Sequence, residues 1–296
     1  MSLRTMIPIL LLSTLNVFSQ HKTTLTYSDT LKMDVYSNQD IQVKQPCVLF
    51  VFGGGFFMGH RDADYYTDYF NKLAQHNYKV ISIDYRLGLK DNNKKISPLN
   101  TKPLKDAIDL AVTDLYDATA YLIKNADKLG IDTSMMMLSG SSAGAITVLQ
   151  ADWEKRNHTT LTLQLPEDFQ YKAVLSFAGA ILSYKGKPSY KIPPAPTMLF
   201  HGTDDKVVTY NKIRLFNKGF FGSKALAKKF RQNKYPYYFQ RVEGMGHEVA
   251  GSPMKENLDD ILWFIDTYVY KKKQYLIEVD FNDLQRKRTF NMQPMR

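Results

Sequence analysis

Residues 135–149 read Met-Met-Met-Leu-Ser-Gly-Ser-Ser-Ala-Gly-Ala-Ile-Thr-Val-Leu, and the centre of that stretch, Gly140-Ser141-Ser142-Ala143-Gly144, decides the fold. A strand-like run, Met135-Met136-Met137-Leu138, enters it, and a helix-like run, Ala145-Ile146-Thr147-Val148-Leu149, leaves it. Ser142 therefore sits at the apex of a strand, a tight turn and a helix. So sharp a turn strains the backbone and brings neighbouring chain close, which calls for residues without bulky side chains two positions either side of the serine. Gly140 and Gly144 meet that need. The competing reading is a serine in an ordinary glycine-rich turn, and a five-residue pattern decides little alone.

Outward from the turn, short β-branched or aromatic runs alternate with longer stretches of helical period, the pattern of an α/β fold around a mostly parallel sheet. Core strands are predicted at 47–52, 79–84, 135–138, 173–177, 197–200 and 238–242. Between them, residues 105–129 place Ile108, Ala111, Leu115, Ala118, Leu122 and Ala126 on one helical face, and Gly130 ends the run. A last amphipathic helix over 257–270 carries Leu258, Ile261, Leu262, Ile265, Tyr268 and Val269. No repeat and no Pro/Gly/Ser-rich linker divides the chain, so one catalytic-size domain is expected over 20–270.

The first confident strand ends in Phe52-Gly53-Gly54-Gly55-Phe56. Successive glycines expose backbone N–H groups that can converge on a developing oxyanion. A plain flexible turn and a phosphate loop compete with that reading, but no Gly-x-x-x-x-Gly-Lys-Ser/Thr string is present.

With these motifs in order, the chain resembles the α/β-hydrolase superfamily, in its carboxylesterase and hormone-sensitive-lipase-like branch. The likeness spans about residues 45–270 and also takes in Asp84-Tyr85-Arg86-Leu87, His201-Gly202-Thr203-Asp204-Asp205 and Gly246-His247-Glu248. It implies an oxyanion hole from the amides of Gly54, Gly55 and Ala143, the last following the nucleophile. It also implies an acid at the fifth position of the His-Gly-x-x-Asp segment, Asp205 rather than its neighbour Asp204. Phe52 is a departure, since many members of the branch carry histidine there to hold the glycine loop.

A serine hydroxyl is a weak nucleophile at neutral pH and needs a base, for which histidine is suited. Six histidines are available. His21, His60, His76 and His158 fall near the N-terminus, in the loop after the glycines or in polar connections, and His201 is read as packing beneath its loop. His247 follows the last strand, as the chain order serine, acid, histidine requires. Asp84 is read as a buried structural carboxylate, with Arg86 or a loop amide as its partner.

The reading is an α/β-hydrolase that transfers the acyl group of a small-molecule ester to water through Ser142, Asp205 and His247. A serine peptidase of the prolyl-oligopeptidase type shares the arrangement but usually carries a further β domain, and a non-catalytic binding relative usually loses triad members. Acylated sugars or aryl and phenolic esters are the substrates considered. Stretches 88–103, 153–169 and 216–238 are read as loops that could cap the site.

The ends and the composition complete the picture. Arg4 precedes an apolar run from Met6 to Leu12, too short for a membrane span, and Val17 and Ser19 suit cleavage before Gln20. Residues 1–19 are thus expected to be a signal peptide of an exported, periplasmic or secreted protein without stable membrane insertion. Cys47 is the only cysteine, which excludes an intrachain disulfide, and is read as a buried strand residue. Lysine and arginine number 39 against 29 aspartate and glutamate, but they are scattered, which does not favour nucleic acid. The extension 271–296 holds seven basic and three acidic residues and an apolar Tyr275-Leu276-Ile277 that would suit an edge strand. With no His-Glu-x-x-His string and no cysteine pair, no metal or other cofactor is expected.

Overall fold

The computed structural model describes residues 20–38, 43–91, 96–97 and 99–283; the expected signal peptide lies outside them. In chain order the strands are β1 (Gln20–Ser28), β2 (Leu31–Asn38), β3 (Gln45–Val51), β4 (Lys79–Ile83), β5 (Ile131–Ser141), β6 (Val174–Phe177), β7 (Ala180–Ser183), β8 (Thr197–Gly202), β9 (Lys212–Leu215), β10 (Lys218–Gly222), β11 (Tyr237–Val242) and β12 (Leu276–Phe281). The helices are α1 (Asp64–Gln75), α2 (Lys102–Lys124), α3 (Ala126–Leu129), α4 (Ala143–Arg156), α5 (Ser223–Asn233), α6 (Ser252–Glu256) and α7 (Leu258–Phe264), the last running on as a wider turn through Ile265–Tyr270.

Nine strands form one sheet in the order β1-β2-β4-β3-β5-β6-β8-β11-β12. β1, β2 and β4 pair antiparallel, and every later neighbour pairs parallel. A parallel strand covered on both faces reads as a continuous apolar run, which is why Cys47 through Val51 are all fully buried. β7, β10 and β9 make a separate three-stranded antiparallel sheet.

The six predicted core strands are present with shifted ends. The predicted helix over 105–129 begins earlier, with Pro103 in its first turn, and breaks at Asn125, whose side-chain amide donates to the Tyr121 carbonyl at 2.8 Å. Gly130, at φ 60°, then stops the chain. Two of the presumed loops contain regular structure. Residues 153–156 finish α4, and 216–238 hold β10, α5 and the start of β11. The apolar period of α5 was masked by its lysines, and only Ser223, Leu226, Ala227 and Phe230 face inward.

All fourteen residues of α4 are buried, between the sheet and α2. Its polar side chains are tied down accordingly. Arg156 pairs with Asp152 at 3.0 Å and donates to the Tyr171 carbonyl at 2.8 Å, while the Lys155 ammonium donates to the carbonyls of Pro166 and Glu167 at 2.8 and 3.1 Å. The helix behind Ser142 is therefore anchored on every side.

Register lines up the ends of the parallel strands. Val51 pairs with Gly140, Ser141 with Phe177, Phe177 with Phe200, and Gly202 with Val242. The loops after β3, β5, β8 and β11 consequently leave one edge of the sheet at one level, the carboxyl edge where open parallel sheets build their sites.

Candidate active site

The turn after β5 places Ser142 at φ 52° and ψ −115°, a left-handed conformation that costs a non-glycine residue on the order of 1–3 kcal/mol. Hydrogen bonds hold it there: the Ser142 amide donates to the Phe177 carbonyl, and the Ile146 amide donates to the Ser142 carbonyl, both at 2.9 Å. The flanking glycines are required by contact. A Cβ on Gly144 would stand 1.9 Å from the Val51 carbonyl oxygen, and one on Gly140 would stand 2.4 Å from the Gly144 carbonyl oxygen.

Ser142 Oγ lies 2.7 Å from His247 Nε2, and His247 Nδ1 lies 2.8 Å from Asp205 Oδ2. Asp205 rather than Asp204 faces the imidazole. Its other oxygen accepts the amides of Val207 and Val208 at 2.8 and 3.0 Å. Burial works against charge on Asp205, but hydrogen bonds from His201 and His247 outweigh it and hold the carboxyl well below the ordinary carboxylate range. With Asp205 ionised, Nδ1 of His247 carries the proton and Nε2 is left to accept from the serine hydroxyl.

The loops bearing Asp205 and His247 are stitched together. Thr203 and Asp204 donate their amides to the carbonyls of Val242 and Met245 at 3.1 and 2.9 Å, and the Gly244 amide donates to the Thr203 hydroxyl at 2.9 Å. His201 is fully buried beneath them. Its Nε2 lies 3.1 Å from the Val208 carbonyl and 3.4 Å from Asp205 Oδ2, and its Nδ1 lies 2.8 Å from Ser223 Oγ at the start of α5. His60 pairs with Asp62 at the surface, and His76 closes α1.

On the facing side, Gly54 and Gly55 take φ 124° and 62°. The Gly53 amide is consumed by the Tyr66 hydroxyl, to which it donates at 3.0 Å. Among the described residues nothing accepts from the Gly54 or Gly55 amides, and Ala143, first residue of α4, has no intrahelical acceptor for its own. Tyr66 and Tyr85 also resolve the departure at Phe52. The Tyr85 hydroxyl donates to the Phe52 carbonyl at 3.1 Å, its ring lies 4.4 Å from that of Phe52, and together with Tyr66 it supports the loop. Neither tyrosine carries a local signal of this role; the only hint for Tyr66 is a hydroxyl on the apolar face of the helix that follows the glycines.

Asp84 requires a correction. It is only partly buried and pairs with Arg61 at 2.7 Å, while Arg86 grips Asp114, fully buried on α2, at 2.8 Å. Arg61 also reaches the buried Asp34 at 3.2 Å.

A cleft of about 720 Å³ opens over Ser142 and His247, lined also by Phe57, Met58, Tyr65, Val207, Glu248 and Lys255. Among the described residues of the three stretches read as loops that could cap the site, none lines it. Among the described residues no group of three or more His, Cys, Asp and Glu side chains is gathered to hold a metal, and no helix is long and apolar enough to cross a membrane.

The mostly parallel sheet, with a serine, a histidine and an aspartate linked at its carboxyl edge, is the arrangement of an α/β-hydrolase. The chain belongs to the BD-FAE family, whose model matches residues 33–185, just over half of the 296. An AB hydrolase superfamily protein of Schizosaccharomyces pombe is 32% identical over 104 residues, which cover 33% of this chain and 24% of that protein, so the match spans about a quarter of the relative. Among solved structures, a propionate-bound esterase 2 of the planctomycete Thermogutta terrifontis superposes with a TM-score of 0.61 at 19% identity, over 86% of this chain and 95% of that one. Esterase B of Lactobacillus rhamnosis does so with a TM-score of 0.60 at 15% identity, over 86% and 88%. At such identities the likeness is one of fold.

Proposed function

We propose that the protein is a serine carboxylesterase that acts through an acyl-enzyme on Ser142. The unbroken hydrogen-bonded chain from Ser142 Oγ through His247 to Asp205 carries this reading. His247 Nε2 takes the hydroxyl proton as Oγ attacks the ester carbonyl, and the oxyanion is received by the Gly54, Gly55 and Ala143 amides. His247 then returns the proton to the leaving alcohol. Water repeats the sequence on the acyl-enzyme and releases the acid.

Short acyl groups on sugars or on aryl and phenolic alcohols suit the cleft, where Phe57, Met58 and Tyr65 offer apolar surface beside Ser142. The propionate held by the Thermogutta esterase is consistent with a small acyl site. Export is part of the proposal, on the strength of Arg4 and the apolar run that follows it; fractionation of expressing cells checks it.

A fluorophosphonate probe is expected to label Ser142, and p-nitrophenyl acetate and butyrate are expected to be hydrolysed. Ser142→Ala should lose labelling and at least about 10³-fold of kcat. Wild-type turnover in that variant overturns the assignment, and cleavage of dipeptide amides without cleavage of esters would make the protein a peptidase.

A further inference from the structure

We infer that His201 and Ser223 are positioning residues that aim the Asp205 carboxylate at His247, an inference that rests on the esterase reading above. The carboxylate torsion of an aspartate is broad and roughly twofold, so partners decide where its oxygens point. Oδ1 of Asp205 accepts the Val207 and Val208 amides at 2.8 and 3.0 Å, and Oδ2 faces His247 Nδ1 at 2.8 Å. His201 completes the set from below. Its Nε2 lies 3.1 Å from the Val208 carbonyl and 3.4 Å from Oδ2. The Val208 residue thus donates to one carboxylate oxygen and accepts from the imidazole that faces the other.

The chemistry of these neighbours fixes the proton. A carbonyl and an ionised carboxylate only accept, so Nε2 of His201 carries a hydrogen directed between them. On the far side of the ring, the Ser223 hydroxyl stands 2.8 Å from Nδ1 and fixes the ring's rotation. His201 and Ser223 have no exposed surface, so solvent does not stand in for a lost partner. A histidine that only fills the core would be satisfied by Val208 and Ser223. The third contact, to the same oxygen that serves His247, is what assigns the role.

The seat of His201 is built by the start of α5 and the chain entering β9. The Lys224 amide donates to the Tyr210 carbonyl at 3.0 Å, and the Gly222 amide donates to the Asn211 carbonyl at 2.7 Å. A Cβ on Gly222 would stand 1.7 Å from the Thr209 carbonyl oxygen, so the two segments touch backbone to backbone. The Tyr210 ring meets the imidazole edge-on, with centroids 5.7 Å apart. Ser223 is therefore held against Nδ1 by the backbone around it, and the insertion that carries β9, β10 and α5 supports the Asp205 loop. Neither His201 nor Ser223 lines the cleft over Ser142, so both act through Asp205 and not on the substrate.

Two readouts test this: steady-state kinetics on p-nitrophenyl acetate, and the low-field proton NMR signal of the His247 Nδ1–H, which reports the contact with Asp205 without turnover. His201→Leu is expected to lower kcat at least about tenfold with KM unchanged and to shift or broaden that signal. Ser223→Ala keeps the imidazole and should lower kcat about threefold in the same way, and it carries the test if His201→Leu does not fold. His201→Gln keeps an N–H donor near the place of Nε2 and should recover most of the loss. Phe230→Leu, a core change elsewhere on α5, should lower the melting temperature and leave kcat and the signal unchanged. The inference is overturned if His201→Leu and Ser223→Ala keep the wild-type kcat and signal, or if His201→Gln is as impaired as His201→Leu at equal melting temperature. Neither result touches the esterase reading, which fails instead if the wild type neither labels at Ser142 nor hydrolyses esters.

Discussion

Removing the Tyr66 hydroxyl strands the amide of Gly53, a buried donor whose acceptor that hydroxyl is. An unmet buried donor costs about 1–3 kcal/mol, and here the cost falls on the loop that presents Gly54 and Gly55. Tyr66→Phe is expected to lower the melting temperature slightly and to reduce kcat about tenfold with little change in KM, the pattern of a lost transition-state contact; steady-state kinetics on p-nitrophenyl acetate checks it, and unchanged kcat would mean that Tyr85 suffices. Asp205 makes a second case. Asp205→Asn keeps the shape but no longer holds His247 with its proton on Nδ1, and kcat should fall on the order of 10³–10⁴-fold. The same carboxyl links stability to pH. Its folded pKa lies below the ordinary 3.8, so it favours the folded state at every pH above that value, and the contribution fades as pH falls through the folded pKa. The melting-temperature gap between wild type and Asp205→Asn should therefore be constant above about pH 5 and narrow below about pH 4. Among single residues the motif-bearing ones were legible in the sequence, because G-x-S-x-G and His-Gly-x-x-Asp are local demands of backbone and chain order. Tyr66, Tyr85 and the Arg61–Asp84 pair were not, since each acts on a partner that only folding brings near.

Among the elements, β12 alters the account of the C-terminal segment most. The apolar Leu276 and Ile277 foreshadowed a strand, but its place was not readable: it pairs parallel with β11 from Tyr237↔Leu276 to Val242↔Phe281 and supplies the acids Glu278 and Asp280 that engage Arg241. Deleting residues 271–296 would expose β11 as an open edge with Arg241 and Tyr237 unpaired. The truncated chain is expected to melt at least about 5 °C lower and to scatter light on heating; an unchanged melting temperature would show that β12 contributes nothing. Helix α4 shows the opposite limit. Its sequence has little amphipathic period because every face is buried, so only the glycine-serine turn before it marked its start. In α5 the inward stripe is narrow and its lysines dominate the composition, which made a helix read as a loop.

For the molecule as a whole, the single thiol reports on cooperativity. Cys47 sits in β3 with no exposed surface, and burial pushes its pKa far above that of a free thiol. Native protein should resist a thiol-specific disulfide reagent, and modification should proceed at the rate of global unfolding; rapid stoichiometric reaction would show local opening of the central sheet. The charge of the chain reads differently once folded. Basic residues that are scattered along the sequence line one groove beside α5: Lys187 from the β7–β8 connection, Lys212 from β9, Lys224, Lys228, Lys229 and Arg231 from α5, and Arg241 from β11. The fold class, the sharp turn at Ser142, the glycine loop and the order serine, aspartate, histidine were written in the sequence, since each depends on short-range backbone geometry or on strand succession. The convergence of Ser142, Asp205 and His247 within hydrogen-bond reach, the tyrosine props of the glycine loop and the basic groove were decided by the tertiary structure. They depend on parallel register and on close approaches between residues far apart in the chain, and no local pattern encodes those.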